Sequence, residues 1–199
     1  MTETSAPDQA PTLEPLKVHC GDTNCEADKH CFRPDRRKRR WREDYAGACQ
    51  ACGKQLVDWD RVRSRDLEDV KGTFAELQHE QIRHVFFCAP FDAKSVQQAR
   101  RLGLGGLRER VRPLLARKIG PAKIFRDGTQ TKKEGSAVHY AQHATATCCR
   151  KCLEYWHGIE PGRELTDEEL DYCEGLVQAY LDERGPALMA AVKAAEEAT

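Results

Sequence analysis

The sequence predicts an α+β protein, with a mostly helical core and an N-terminal zinc-ribbon-like or treble-clef-like module. Three observations lead to this fold class. Residues 18–59 are dense in Cys and His but show no sustained hydrophobic period. Beyond residue 66, apolar residues recur every three or four positions, which is the spacing of an amphipathic helix. Finally, Thr166 and Glu169 have the spacing of a helix-capping box.

Composition narrows the class of protein. The chain has 199 residues, including ten cysteines and seven histidines, and its 32 basic residues balance 32 acidic ones. No run of apolar residues is long enough to predict a membrane span. The first residues lack the basic and apolar pattern of a secretory leader, so we expect a cytoplasmic protein with reduced thiols. Paired cysteines are then better interpreted as metal ligands than as disulfides.

The chain divides into three regions by composition. Residues 1–16 are rich in Pro, Thr, Ser and acidic residues, which predicts a disordered tail. Residues 17–60 form the predicted zinc module, and residues 61–199 form a mainly helical core that carries a second Cys/His cluster.

Helix signals locate the elements of the core. Asp66 is placed to cap a helix that continues to a point before Pro90. A second helix is predicted from Asp92 to Leu102, where Gly103 ends it, and a third follows with Pro113 as a candidate kink. After a polar loop at 120–135, a helix capped by Thr166 is predicted to end at Gly185, and Pro186 then opens an Ala-rich helix.

The module's strongest motif is Cys49-x-x-Cys52-Gly, a turn that lets two thiolates reach one metal ion. Two further ligands must come from upstream. We favour Cys25 and His30, with Cys20 as the alternative, and expect a closed structural zinc site.

A basic segment lies between the two arms of this predicted site. Residues 33–42 hold seven basic side chains and one acidic one, a charge that attracts phosphates by counterion release. The alternative is a solvated loop without a ligand. The predicted nucleic-acid contacts are here and in the basic middle of the chain: Arg36, Arg37, Lys38, Arg39, Arg40, Trp41, Arg108 and Arg112.

A second metal site is predicted around Cys149-x-x-Cys152. His143 and His157 would complete a set of two thiolates and two imidazoles suited to zinc. Alternatively, the two Cys-x-x-Cys pairs join one zinc ion, as in treble-clef and HNH-type nuclease folds. The protein would accordingly hold one or two zinc ions. Ordinary packing of small apolar thiols is the competing interpretation.

The run QHATATCCRKCLEYWHGIEPGRELTDEE, with RDGTQT upstream, resembles the C-terminal signature of an uncharacterised bacterial family, a domain of unknown function. The resemblance spans Phe86 to Asp182 and implies no activity. It does imply which residues to examine: Asp127, Gln130, Thr131, His143, Thr145, Thr147, Cys148, Cys149, Arg150, Cys152, Trp156 and His157. As a catalytic hypothesis, His143 is a ligand or general base, Arg150 or Thr147 binds an anionic oxygen, and Asp127 is a further catalytic candidate.

The leading functional hypothesis is a zinc-binding protein that engages DNA or RNA, with possible HNH nuclease ancestry. Trp59 follows Asp58 where an HNH nuclease has histidine, so that ancestry requires a histidine from elsewhere, namely His84, His143 or His157. One rival is a metalloenzyme that acts on a small molecule at the second cluster, and the other is a structural adaptor with closed zinc sites. Enzymatic activity, substrate and oligomeric state do not follow from these patterns.

The neutral net charge hides a strong asymmetry. Residues 100–133 hold eleven basic and two acidic side chains, whereas residues 159–199 hold three basic and eleven acidic ones. If the acidic helices lie away from the basic stretch, a positive face is available to phosphates. If they cover it, the same charges form internal ion pairs.

Overall fold

The computed structural model describes residues 16–33 and 47–198. These residues contain a short 3-10 helix, Cys25–Ala27, and eight α-helices, but no β-sheet, only two isolated bridges. The mostly helical core is confirmed, whereas the α+β class and the zinc-ribbon form are not. The α-helices are α1 (Trp59–Arg63), α2 (Val70–Leu77), α3 (Gln81–Cys88), α4 (Ala93–Glu109), α5 (Val111–Lys118), α6 (Ala137–Ala144), α7 (Arg150–His157) and α8 (Asp167–Glu197).

The helix predicted from residue 66 onward is in fact two helices, α2 and α3. The N-terminal module causes the interruption, because the backbone N–H of His30 donates to His79 O at 2.8 Å and Gln81 N–H donates back to His30 O at 2.8 Å. Asp66 does not cap α2, since its carboxylate accepts a bond from Glu68 N–H in the turn before the helix. Tertiary pairing thus overrides the local helical pattern.

The next helices largely follow their predicted signals. Asp92 caps α4, with its carboxylate accepting from Ser95 N–H at 3.0 Å. Gly103 has φ 65° and ψ 176°, a left-handed conformation that breaks the helical path inside α4. Pro113 is the third residue of α5, in the first turn, where a missing N–H breaks no helical bond.

Helix α8 is longer than predicted. The capping box of Thr166 and Glu169 is confirmed, but the predicted break at Gly185 and Pro186 is wrong, because the helix continues through both residues to Glu197. A side chain at Gly185 would lie 3.0 Å from a methyl carbon of Leu104, so the glycine allows α4 and α8 to approach closely. Packing of this kind offsets the hydrogen bond that Pro186 removes.

Helix α8 forms the support of the core, where α4, α5 and α6 pack against it, and α3 packs against α6. Tyr180 is fully buried on α8 and donates its hydroxyl to Phe86 O at 2.6 Å, which fixes α3 relative to α8. No α-helix in the described ranges has the length and apolar character needed to cross a membrane.

Candidate metal centre

Four side chains of the N-terminal module converge on one point, which we call the module centre: Cys25, His30, Cys49 and Cys52. Their candidate ligand atoms all lie within 4.8 Å of one another. Cys25 Sγ is 3.8 Å from Cys49 Sγ, and Cys52 Sγ is 3.4 Å from His30 Nδ1. A tetrahedral zinc ion with Zn–S bonds of about 2.3 Å places two sulfurs about 3.8 Å apart. The spacing therefore suits a metal ion and is too long for a disulfide.

A tight turn presents Cys49 and Cys52. Cys49 N–H donates to Lys54 O at 2.8 Å, and Gly53 N–H donates back to Cys49 O at 2.9 Å. Gly53 has φ 75°, in the left-handed region that glycine adopts without strain. The glycine after the Cys-x-x-Cys motif is thus required by the turn that brings the two sulfurs together.

A second tight turn presents Cys25 and His30. Asn24 and Lys29 pair through two backbone bonds of 2.7 and 2.9 Å, and Asp28 adopts φ 55° between them. Both turns are short, and the segment that joins them includes residues 34–46, outside the described ranges. The module centre therefore joins the two sides of this segment.

The ring of His30 is fully buried and held in one orientation. Its Nε2 lies 3.0 Å from Asp28 Oδ1, which leaves Nδ1 directed at the sulfur of Cys52. Metal-bound histidines commonly use the second nitrogen in this way, because a carboxylate partner fixes the tautomer and makes the ring a better ligand. The neighbouring side chains are therefore those of a metal-bound imidazole.

The thiol of Cys49 is favoured as a thiolate. Burial opposes ionisation, but backbone groups of Cys31, Cys52 and Ala51 that hydrogen-bond to the sulfur lower its pKa to about 6. Burial raises the pKa of Cys25 to about 11, and its proximity to the other two sulfurs acts in the same direction. A cation at the centre would favour the thiolate at every position.

One predicted ligand, Cys20, is not part of this centre, and the predicted nucleic-acid residues of the basic segment lie outside the described ranges. Cys20 is absent from the group, and its backbone oxygen instead accepts a bond from the Cys31 thiol at 3.2 Å. The predicted nucleic-acid residues Arg36, Arg37, Lys38, Arg39, Arg40 and Trp41 lie outside the described residues.

Aromatic packing attaches the module to the core. Phe32 contacts both Trp59 and Trp156 edge-to-face, with ring centroids 6.1 Å apart in each pair. Trp59 Nε1 also donates to Gly47 O at 3.2 Å, which holds the chain just before Cys49. Asp58, considered above as a nuclease residue, caps α1 through a bond from Arg61 N–H. Asp58 and Trp59 therefore both have structural roles in this part of the fold.

The second group of metal-ligand atoms differs from the predicted set. Its members are Cys148, Cys149 and Cys152, all buried and all within 4.8 Å of one another, and we call them the thiol triad. Cys148 Sγ lies 3.5 Å from Cys152 Sγ. The structure adds Cys148 and leaves out His143 and His157. The module centre and the thiol triad are separate groups, so the predicted single zinc between both Cys-x-x-Cys pairs is not what the structure shows.

The two predicted histidine ligands serve the core instead. His157 lies 2.9 Å from Thr145 O through Nε2 and 3.0 Å from the Tyr172 hydroxyl through Nδ1, so both ring nitrogens are used. His143 bonds Lys132 O through Nε2 at 3.2 Å and stacks on Phe86. Burial lowers the pKa of His157 to about 4 and, together with the Arg83 charge, that of His143 to about 3.

The remaining catalytic candidates also make structural contacts. Arg150 is buried and donates to the backbone oxygens of Ile119, Glu160 and Arg163. Asp127 accepts from Arg150 N–H at 3.1 Å, at the start of α7. Thr147 is fully buried, with its hydroxyl 3.1 Å from that of Thr145. All three side chains are therefore accounted for by contacts within the fold.

Sequence reasoning missed Arg83, the central charge of this region. Its buried guanidinium donates to Cys152 Sγ at 3.2 Å, to Cys148 Sγ at 3.8 Å and to His143 O at 2.5 Å. Its Nε bonds Glu80 at 2.9 Å. A lone arginine on a helical face carries no sequence signal for such a contact, since the thiols lie more than 60 residues away.

The predicted basic strip at Arg108 and Arg112 is neutralised by α8. Arg108 pairs with Asp182, while Arg112 contacts Asp171 and lies 3.1 Å from Glu174. The acidic helix therefore covers this part of the basic stretch, and the charge asymmetry of the sequence becomes internal ion pairing here.

Comparison with known proteins adds a family but no activity. A family model described as a domain of unknown function (DUF4186) matches residues 71–182, which is over half of the chain. The match covers α2 to the first half of α8 with the whole thiol triad, whereas the module centre precedes it. No solved structure matches the chain.

Proposed function

Since the chain belongs to the DUF4186 family, a domain of unknown function, we propose its function from its own side chains: it binds zinc at the module centre and uses the basic segment beside that centre to engage nucleic acid. The observation that carries the proposal is the convergence of three sulfurs and one imidazole at tetrahedral distances. Zinc is the metal of choice for a closed set of three thiolates and one histidine.

The proposed zinc has a structural role. All four positions around a tetrahedral ion are filled by protein atoms, so no position is open for water or substrate. The module contributes few buried apolar side chains besides Phe32, which lies against Trp59 and Trp156. Metal binding would supply stability that such a small apolar contact does not.

The nucleic-acid part of the proposal depends on position and charge. Cys31 and Cys49 flank the segment with seven basic residues in ten, and the centre joins its two sides. Holding both ends of a basic segment lowers the entropy that binding must overcome. The proposed contacts are with phosphates, because the segment offers charge and a single tryptophan but no base-reading motif.

Two parts of the initial hypothesis are left out of the proposal. Arg108 and Arg112 already have carboxylate partners on α8, so they contribute little to phosphate binding. HNH nuclease ancestry required a histidine from among His84, His143 and His157, and none of the three belongs to either group of metal-ligand atoms.

One observation favours a second candidate function, metal binding at the thiol triad. Three buried sulfurs with a guanidinium 3.2 Å from one of them suit a soft cation bound by thiolates. His143 and His157 are engaged elsewhere, so the small-molecule metalloenzyme with two imidazole ligands is not supported by this geometry. Protein with two bound metal ions, one of which is lost in Cys152→Ser, would support this second site.

The zinc proposal is tested by metal content. Purified protein should hold at least one zinc per chain by elemental mass spectrometry, and Cys49→Ser should lose one equivalent. Cys88→Ser is the matched control, because Cys88 is an exposed thiol outside both groups. Equal zinc content in all three proteins would contradict the proposal.

Nucleic-acid engagement is tested by fluorescence anisotropy with labelled DNA and RNA over a range of salt concentrations. Arg39→Gln/Arg40→Gln should weaken binding and reduce the slope of log K against log salt by about 2. Arg108→Gln/Arg112→Gln removes the same charge at paired positions and should leave affinity almost unchanged. The proposal is wrong if the wild type shows no salt-dependent binding, or if both variants lose affinity equally.

A further inference from the structure

A cavity of about 350 Å³ lies between the end of α4, helix α5 and the start of α6. Its polar lining comes from Gln98, Glu109, Arg110, Arg117, Ser136 and His139, and Pro113, Leu114 and Val138 supply an apolar wall. The volume is in the range of small-molecule sites, in which apolar side chains contact the ligand and polar groups orient it.

The two arginines of this cavity differ from their neighbours in the basic stretch. Arg110 directly precedes α5 and Arg117 lies in its last turn, seven residues or about two helical turns further on, and both line the same cavity. Arg108 and Arg112 face α8 and form ion pairs with it. Within residues 16–33 and 47–198, neither Arg110 nor Arg117 forms an ion pair or a side-chain hydrogen bond. Two arginines that form no ion pair among the described residues thus line one cavity.

Other groups in the lining are available to a ligand. Ser136 is 5% exposed, and its oxygen accepts from Val138 N–H, so the hydroxyl proton remains free to donate. His139 Nδ1 lies 2.8 Å from Glu134 O, so Nδ1 carries a proton and donates it to that oxygen. The other ring nitrogen, Nε2, can contact a ligand. The side-chain oxygen of Gln98 is buried and has no hydrogen-bond partner in the described part of the chain.

From this arrangement we propose that the cavity binds a small phosphate monoester, with Arg110 and Arg117 holding its phosphate. Two guanidiniums match the double negative charge of a phosphate monoester, and guanidinium forks bond phosphate oxygens in pairs. Ser136 lies at the amino end of α6, where the helix dipole also favours an anion. Gln98 accepts a bond from a ligand hydroxyl, and the apolar wall contacts the organic part.

Glu109 leads to a second prediction, because its replacement should change ligand affinity in the opposite direction from replacement of the two arginines. Glu109 also lines the cavity, and its carboxylate forms no ion pair among the described residues. It therefore repels a bound anion, so replacing it with a neutral residue of the same shape should strengthen binding. A change that merely disturbs the fold would weaken binding instead.

The test is isothermal titration calorimetry with phenyl phosphate, inorganic phosphate, benzoate and phenol on the full-length protein. Phenyl phosphate should bind most tightly, and phenol should not bind. Arg110→Gln and Arg117→Gln should each weaken phenyl phosphate binding at least about tenfold. Glu109→Gln should strengthen it by about threefold. Arg108→Gln is the matched control and should bind as the wild type does, because Arg108 pairs with Asp182.

Circular dichroism establishes that each variant is folded before its titration is interpreted. If benzoate bound as tightly as phenyl phosphate, the ligand would be a carboxylate and not a phosphate ester, which would overturn the proposal. The site itself would be overturned if phenyl phosphate did not bind at concentrations up to about 10 mM, the range of millimolar affinity. It would also be overturned if Arg108→Gln weakened binding as much as Arg110→Gln and Arg117→Gln do.

Discussion

Arg83 and Glu80 form a buried ion pair, with Nε 2.9 Å from Oε2, between the N-terminal module and the thiol triad. Both side chains are about 2% exposed. The carboxylate also accepts from Trp156 Nε1 at 3.0 Å, while the guanidinium reaches Cys148 and Cys152. His30 pairs with the backbone at Glu80. The pair therefore connects the module, the triad and the aromatic core.

We expect Arg83→Met to destabilise the protein by about 3–5 kcal/mol, because it leaves the Glu80 carboxylate buried without its cation. The double variant Glu80→Gln/Arg83→Met should recover part of that loss, since no uncompensated charge then remains. Urea denaturation of the two single variants and the double variant gives the coupling free energy. Additive losses would show that the two side chains stabilise the fold independently.

Asp28→Asn should weaken the proposed zinc binding at the module centre about 10- to 100-fold, as expected for the loss of a carboxylate that orients a ligand histidine. The reason is the 3.0 Å contact between the carboxylate and His30 Nε2. Competition with a chromogenic chelator measures the affinity. Asp22→Asn is the control, because Asp22 contacts only the exposed His19 among the described residues. Equal affinities for both variants would contradict the role of Asp28.

Gly53→Ala should destabilise the protein by about 1–2 kcal/mol, because φ is 75° and an L-residue is strained there. Nothing lies within 4 Å of the added carbon, so the effect is conformational and not steric. Gly53→Asn should cost less, since Asn tolerates this region better than Ala. Thermal unfolding compares them with Gly21→Ala, where the added carbon also meets open space. A smaller loss for Ala than for Asn would contradict the explanation.

The free energy of unfolding should decrease as the pH is lowered from about 6.5 to about 4, because His157 is buried in its neutral form. Its pKa is about 4 in the folded protein, whereas it is about 6.5 in the unfolded chain. Over that interval the unfolded chain binds a proton that the folded state does not. The free energy of unfolding therefore decreases by up to about 1.4 kcal/mol for each pH unit. Above pH 6.5 this contribution is complete.

The variant His157→Gln isolates this dependence. Urea denaturation at several pH values should give a shallower slope for the variant than for the wild type between about pH 6.5 and 4, by the contribution of one histidine. The other titrating groups remain in both proteins and cancel in the comparison. Identical slopes would show that His157 titrates alike in the folded and unfolded states.

The helical core could largely be predicted because its signals are local. The cap at Asp92, the break at Gly103 and the capping box of Thr166 depend on residues a few positions apart. The errors occurred where distant contacts outweigh local preference. His30 divides the predicted helix into α2 and α3, and packing against Leu104 carries α8 through Gly185.

The sequence by itself determined half of the module centre, because the Cys49-x-x-Cys52-Gly turn is short enough to bring both sulfurs to one ion, and it left Cys25, His30 and Cys20 as candidates for the other half. Only the tertiary structure decided the rest. It placed Cys148 with Cys149 and Cys152, bonded His143 and His157 elsewhere, and brought Arg83 to the sulfurs. It also divided the basic stretch into arginines that face acidic α8 and arginines that face a cavity. Helical direction and burial decide such contacts, and neither follows from residue type and spacing alone.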